Sequence, residues 1–223
     1  MGSAIGAILP MAVGVALSPI AIVGLIIMLG TPRARTNGPA FAAGWTLALA
    51  LVGGLMLAAS SGNATGEAGG PATWVGVLKV VIGVIFLLLG LRTWERRPRP
   101  GHEVPPPAWM ATIDTFRPGK AFAFGLLLAG VNPKNLALTV AAGAALAELD
   151  LSSGQAAIAL AVFVVLGSLT IILPVLAYLV MGERAASLLD EMKTWMQEHN
   201  AAIMLVLFLV LGAKLIGDGI SSL

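Results

Sequence analysis

The chain has 223 residues, 58% of them hydrophobic and 11% charged, with a formal net charge of +2 and a mean hydropathy of +0.94. Soluble domains carry about 25% charged residues, so this composition points away from a soluble enzyme or nucleic-acid binder and towards an all-α integral membrane protein. There is no cysteine, which excludes disulfides, thiolate metal sites and thiol redox chemistry.

Apolar stretches occur at 4 to 29, 40 to 60, 73 to 91, 120 to 147, 155 to 181 and 201 to 221. Each reaches the ~20 residues that cross ~30 Å of hydrocarbon as a helix, so the expectation is six transmembrane helices. The first has no basic region before it and is too long for a signal sequence, so it reads as a retained crossing. Ser18-Pro19 interrupts it, and Arg33 and Arg35 follow it.

The second stretch leads into a loop, 62 to 71, whose one charge is Glu67. In the third, Gly76, Gly83 and Gly90 recur every seven residues, a spacing that lets helix backbones approach where lipid supplies no hydrophobic drive for pairing. Lys79 lies about six residues, or about 9 Å, inside the end of that stretch. It reads either as snorkelling to the interface or as a gating charge.

The linker from Pro98 to Pro118 holds Pro98, Pro100, Pro105, Pro106, Pro107 and Pro118, which forbid a continuous helix. It separates a first three-helix repeat, residues 1–97, from a second, residues 119–223. Within it Trp109, Ile113 and Phe116 are spaced for a short surface helix. Arg92, Arg96, Arg97, Arg99, Arg117 and Lys120 flank or lie within it.

Asn132-Pro133-Lys134-Asn135 breaks the fourth stretch. Lys134 stands about fourteen residues in, roughly 20 Å along a straight helix, too deep to reach water from the basic side. The loop after it carries only Glu148 and Asp150. Arg184 and Lys193 follow the fifth stretch, where Leu188, Leu189, Met192, Trp195 and Met196 form an apolar stripe read as an interfacial helix. His102 and His199 are placed in loops. On the sixth stretch, Lys214 and Asp218 are four apart and able to pair, as a seal or as a gate.

Lys and Arg cluster on alternate loops, so the positive-inside rule puts both termini outside the inner membrane. Three crossings per half then start the second half on the opposite face, the condition for an inverted repeat. Val84–Arg92 resembles Val206–Lys214, which supports a duplication. Matched breaks in inverted halves mark a midplane substrate site. The expected site comprises Ser18, Pro19, Asn132, Pro133, Lys134 and Asn135, with amides and hydroxyl replacing water and lysine holding an anion. Lys79, Lys214 and Asp218 are candidate gating or coupling groups. Neither a metal nor another cofactor is expected.

The runs Ala16-Leu17-Ser18-Pro19-Ile20, Thr31-Pro32-Arg33-Ala34-Arg35-Thr36-Asn37 and Ala40-Phe41-Ala42-Ala43-Gly44-Trp45 resemble the first half of the GAP family. Gly130-Val131-Asn132-Pro133-Lys134-Asn135 and Leu211-Gly212-Ala213-Lys214-Leu215-Ile216-Gly217-Asp218-Gly219 resemble its second half. That family is named for a peptidoglycolipid-addressing protein of mycobacteria and belongs to the LysE superfamily of six-helix exporters. The resemblance implies export of an envelope glycolipid or related anionic amphiphile in an actinobacterium, with membrane lipids as partners.

Three further functions are consistent with the residues: a LysE-like exporter of amino acids or small metabolites, an accessory subunit of a larger lipid export complex, and an intramembrane enzyme using Ser18 as nucleophile and Lys134 as base. Against the enzyme, neither histidine falls in a crossing and no carboxylate stands beside the pair.

Overall fold

The computed structural model describes residues 1–63, 73–95, 97 and 108–222. Among these the chain is helical, with no strand. Its main helices are α1 (Gly2–Ala16), α2 (Pro19–Leu29), α3 (Ala34–Asn63), α4 (Thr73–Glu95), α5 (Pro118–Gly130), α6 (Pro133–Ala147), α7 (Ser153–Met181) and α8 (Ala186–Ser221). Residues 98–107 of the proline-rich linker, Glu67, Arg96, Arg99 and His102 lie outside the described residues.

Both predicted breaks are present. The chain bends by 51° between α1 and α2 and by 64° between α5 and α6. The local cause is the same in each. A polar residue, Ser18 or Asn132, takes the N-cap position, and a proline, Pro19 or Pro133, opens the next helix, where its missing N–H and fixed φ are tolerated.

Three helical stretches are long and apolar enough to cross a membrane, Ala34–Ala59, Gly76–Glu95 and Ser153–Ser221, and counting each bent pair as one crossing gives five. The last stretch contains a short 3-10 turn, Gly182–Ala185, in which Gly182 adopts φ 60°. The stripe from Leu188 to Met196, expected as a separate interfacial helix, is instead the opening of α8, which runs 36 residues without interruption. His199 accordingly sits on a helix and not in a loop. Its ring stacks on Trp195 with centroids 4.8 Å apart.

Close backbone contact sets the packing. A methyl built on Gly44 of α3 would stand 2.0 Å from Phe122 O of α5, and one on Gly125 of α5 would stand 2.2 Å from Phe41 O of α3. These helices run parallel and touch backbone to backbone. α4 and α8 run antiparallel. Gly83 faces the Gly212 carbonyl, Gly219 faces that of Gly76, and Gly90 lies against Phe208, so the seven-residue glycine stripe is a packing seam.

α3 and α7 are antiparallel, tied by the Trp45 indole N–H donating to Gly167 O at 3.3 Å. α7 runs parallel to α1, with Gly167 on Val15 and Thr170 at Ala16. α1 and α6 are antiparallel, with Gly14 against Leu138 and Ser18 against Asn135. Among the described residues, α2 and α5 scarcely meet.

The turns that carry Arg33, Arg117 and Arg184 gather at one end of the bundle, here called the basic end. There the linker's last residues do not lie on the surface as a free helix. Residues Ala108–Thr115 form a 3-10 helix whose Ile113 enters the core. Phe116 packs edge-on against Phe124 at 5.5 Å. Asn37 Nδ2 donates to Phe116 O at 3.0 Å, and Arg33 donates to the same carbonyl at 3.4 Å. The turn between α2 and α3 thus clasps the start of the second half.

Candidate functional site

A helix leaves its last carbonyls without intrahelical donors, and in lipid each needs a partner from the protein or a wet cavity. At the end of α1 the deficit is enlarged because Pro19 has no N–H for Val15 O. Four carbonyls there are satisfied by side chains. Lys134 Nζ donates to Gly14 O at 2.5 Å and to Leu17 O at 2.8 Å. Ser18 Oγ stands 2.8 Å from Val15 O. Thr170 Oγ1, from α7, donates to Ala16 O at 2.7 Å.

The third N–H of Lys134 points to Ser18 Oγ at 3.0 Å, so the ammonium has three donors and three acceptors, all in the broken end of the other half. The residue is 6% exposed. The single Ser18 hydroxyl proton is shared between Val15 O and Asn135 Oδ1, which lies 3.0 Å from Oγ, and Asn135 Nδ2 donates to Leu128 O, a carbonyl near the end of α5, at 3.0 Å. Asn132 caps α6 by accepting from the Lys134 backbone N–H at 3.1 Å. Ser18, Lys134 and Asn135 therefore form one hydrogen-bond network across the two breaks, while Pro19, Pro133 and Asn132 shape the helix starts beside it.

A cavity of about 330 Å³ opens beside this network. Its walls include Ser18, Pro19, Asn132, Pro133 and Lys134, together with Leu89 and Thr93 of α4 and Asn200, Met204 and Phe208 of α8. Ile20 and Pro133 are exposed at its edge. Asn135 is turned behind the wall and fully buried. The cavity lies beside the start of α2, the last turns of α4 and the stretch of α8 from Asn200 to Phe208, on the basic-end side of the breaks. The opposite side is closed by α1 packed on α6. Two helix N-termini, of α2 and α6, start at the cavity, and their dipoles favour an anion there.

Thr93, Asn200 and Thr170 were not expected from the sequence. Thr170 had a usable signal, a hydroxyl that with Ser168 interrupts a long apolar stretch. Thr93 and Asn200 sit near helix ends, where polar residues are ordinary, and nothing marked them.

The candidate gating groups fall elsewhere. Lys79 is 3% exposed and does not snorkel to water. It pairs with Glu148, at the end of α6, and so ties α4 of one half to the other half at the far end of the bundle. The other carboxylate oxygen of Glu148 is buried and has no hydrogen-bond partner among the described residues. Lys214 and Asp218 pair along α8, both partly exposed, away from the cavity. Among the described residues no three His, Cys, Asp or Glu side chains group to hold a metal.

Apolar helices with two opposed, proline-opened breaks that share one buried lysine define a polytopic α-helical membrane protein with a polar site between its halves. Residues 8–221 match the family described as Sap, sulfolipid-1-addressing protein (SfLAP), and the chain belongs to that family. This agrees with the GAP-like resemblance carried by the Ser18-Pro19 and Asn132–Asn135 runs. No curated protein and no solved structure matches the chain.

Proposed function

We propose that this protein is an exporter of an anionic membrane amphiphile, a sulfated glycolipid being the class that the family description suggests. The observation that carries the reading is the Lys134 ammonium, held between two broken helices by backbone carbonyls and one hydroxyl. A lysine this deep costs at least about 2.5–3.5 kcal/mol to insert. A kink alone needs no cation, whereas a sulfate or phosphate head does.

Six crossings serve this function. The stretch Ser153–Ser221, 69 residues, would measure about 104 Å as one rod, far more than a bilayer of ~45 Å, so the Gly182 turn divides two crossings. Exchanging α1–α2 with α5–α6, α3 with α7, and α4 with α8 maps the main helix pairs onto one another, apart from α1/α6. Parallel α3/α5 becomes parallel α7/α1, and antiparallel α3/α7 and α4/α8 map onto themselves. Such a pattern is what two inverted three-helix repeats produce.

The departure from symmetry supports one state of such a carrier. α1 packs on α6 while their counterparts, α2 and α5, stand apart, so the site is closed at the far end and open at the basic end. With the basic end cytoplasmic, both termini face outward from the inner membrane and the carrier is poised to load from inside. The Lys79–Glu148 pair seals the far side.

Lys134 couples binding to movement. In the empty state its three donors hold the end of α1. A head group entering the cavity supplies substitute acceptors, and each bond moved to it releases a carbonyl that held α1 to α6. Rocking of the repeats then closes α2 on α5 and frees the far end. The same six-helix, LysE-like architecture suits a smaller metabolite, but a side-opening polar site needs to accommodate only the head of an amphiphile.

The 3.0 Å approach of Lys134 Nζ to Ser18 Oγ is also what a Ser–Lys enzyme requires. In its ammonium form, however, lysine donates to the hydroxyl and to two carbonyls and has no lone pair, so only the neutral amine could accept the serine proton. A fluorophosphonate that labelled wild type but not Ser18→Ala would favour the enzyme.

The test is translocation in liposomes containing only this protein. Anionic sulfated or phosphorylated lipid should cross faster than in protein-free vesicles, and a zwitterionic lipid with the same chains should not. No acceleration of either, together with copurification with a larger lipid exporter, would replace the carrier with an accessory subunit.

A further inference from the structure

A second recess abuts the site on the other side of α8. It is a laterally open cleft of about 740 Å³ between Leu9, Pro10, Val13 and Leu17 of α1 and the face of α8 from Trp195 to Leu211. Its surface is almost wholly apolar. Val13 and Val206, on its two walls, are 48% and 61% exposed and so face the bilayer.

We propose that this cleft binds one alkyl chain of an amphiphile drawn from the basic-end leaflet, with the polar head at the Trp195–His199 rim, as the entry station to the Lys134 cavity. Three observations support that occupant. The stretch of α8 from Trp195 to Leu211 rises about 24 Å, close to the ~20–22 Å depth of one leaflet with its head groups. The rim carries a stacked indole and imidazole, amphipathic rings suited to the interface, while every position deeper in the cleft is apolar or glycine. The inner wall is formed by Gly14 and Leu17, the residues whose carbonyls hold Lys134. On α8, Leu207 lines the cleft and Met204 lines the polar cavity, so the two recesses are neighbours.

This inference rests on the carrier reading, and the experiment separates the two. An anionic phospholipid with a diazirine on its alkyl chain is photolysed in liposomes containing the full chain, and labelled residues are mapped by mass spectrometry. Labelling is expected to concentrate on residues 9–17 and 199–210, above the level on the equally lipid-exposed α4 positions Val77, Val81 and Val84. Val13→Trp and Val206→Trp, which fill the cleft from exposed positions, should bring labelling down to the α4 level and slow lipid translocation. Both should leave binding of sulfate or phosphate alone unchanged. Lys134→Met should abolish translocation and leave cleft labelling in place. Uniform labelling over all lipid-facing helices, or normal translocation in both tryptophan variants, overturns the entry station while the Lys134 site stands. Normal translocation in Lys134→Met overturns the Lys134 site, and absence of translocation by the wild type overturns the carrier reading itself.

Discussion

Replacing Lys134 by methionine removes a charge while nearly keeping volume and length, so it separates function from folding. Two carbonyls, Gly14 O and Leu17 O, lose their donor. At about 1–3 kcal/mol for each buried unsatisfied group, the gross loss is about 2–6 kcal/mol. Against this, the span no longer buries an ammonium, which returns about 2.5–3.5 kcal/mol. The net runs from about 1.5 kcal/mol of stabilisation to about 3.5 kcal/mol of destabilisation, and the neighbouring cavity admits water to soften the upper figure. The variant should therefore insert and fold. Binding of an anionic head, by contrast, loses a charge-assisted hydrogen bond of about 1.5–3 kcal/mol, a fall of about 10- to 150-fold in affinity. The assay is titration of the purified variant in detergent with a sulfated amphiphile, beside thermal unfolding of the same sample. Unchanged affinity in a folded variant would refute the assignment of Lys134, and with it the head-group site.

Gly125→Ala places a methyl 2.2 Å from Phe41 O and should cost about 1–3 kcal/mol or more, lowering the unfolding temperature. Gly217→Ala, with nothing within 4 Å, should be neutral or stabilising by up to about 1 kcal/mol. Glu148→Gln leaves Lys79 buried without a counter-charge and should destabilise towards the lower end of about 3–5 kcal/mol, since Glu148 retains some exposure. Adding Lys79→Met should recover part of that loss in a double-mutant cycle. Asp218→Asn, at a partly exposed pair worth about 0.3–0.5 kcal/mol, should leave head-group affinity unchanged. A large loss there, measured by the same titration, would move the site to the end of α8.

The two breaks are legible in the sequence because a polar residue stands directly before the proline at each, whereas Pro10, Pro39 and Pro174 lie inside continuous helices. That the breaks face each other follows from the inverted order of the halves. The exact donors are not legible. Lys134 announces a polar environment, but nothing in its neighbours says that it would reach back to Gly14 and Leu17. Lys79 shows the same limit. Its depth alone left snorkelling open, and only the fold brings Glu148 to it.

The start of α8 was misread because Asp190, Glu191, Lys193 and Glu198 signal water, and water at one end of a helix is equally compatible with an interfacial helix and with the protruding end of a crossing. The α3/α5 contact was also invisible, since a glycine among apolar residues carries no mark of its partner. Its counterpart at Gly76, Gly83 and Gly90 was visible only because the spacing repeats.

The three-fold anchorage of Lys134 has a further consequence for selectivity. A vacant pocket whose cation is already fully solvated by its own chain acts as an internal competitor for every ligand. Chloride or a single carboxylate replaces too few of those bonds to win, so abundant small anions leave the bundle shut. A sulfate or phosphate ester, with several acceptor oxygens on one atom, is the smallest chemistry able to outbid the carbonyls. In the proposed carrier, one displaced side chain would in this way set both the permeability barrier and the recognition of cargo.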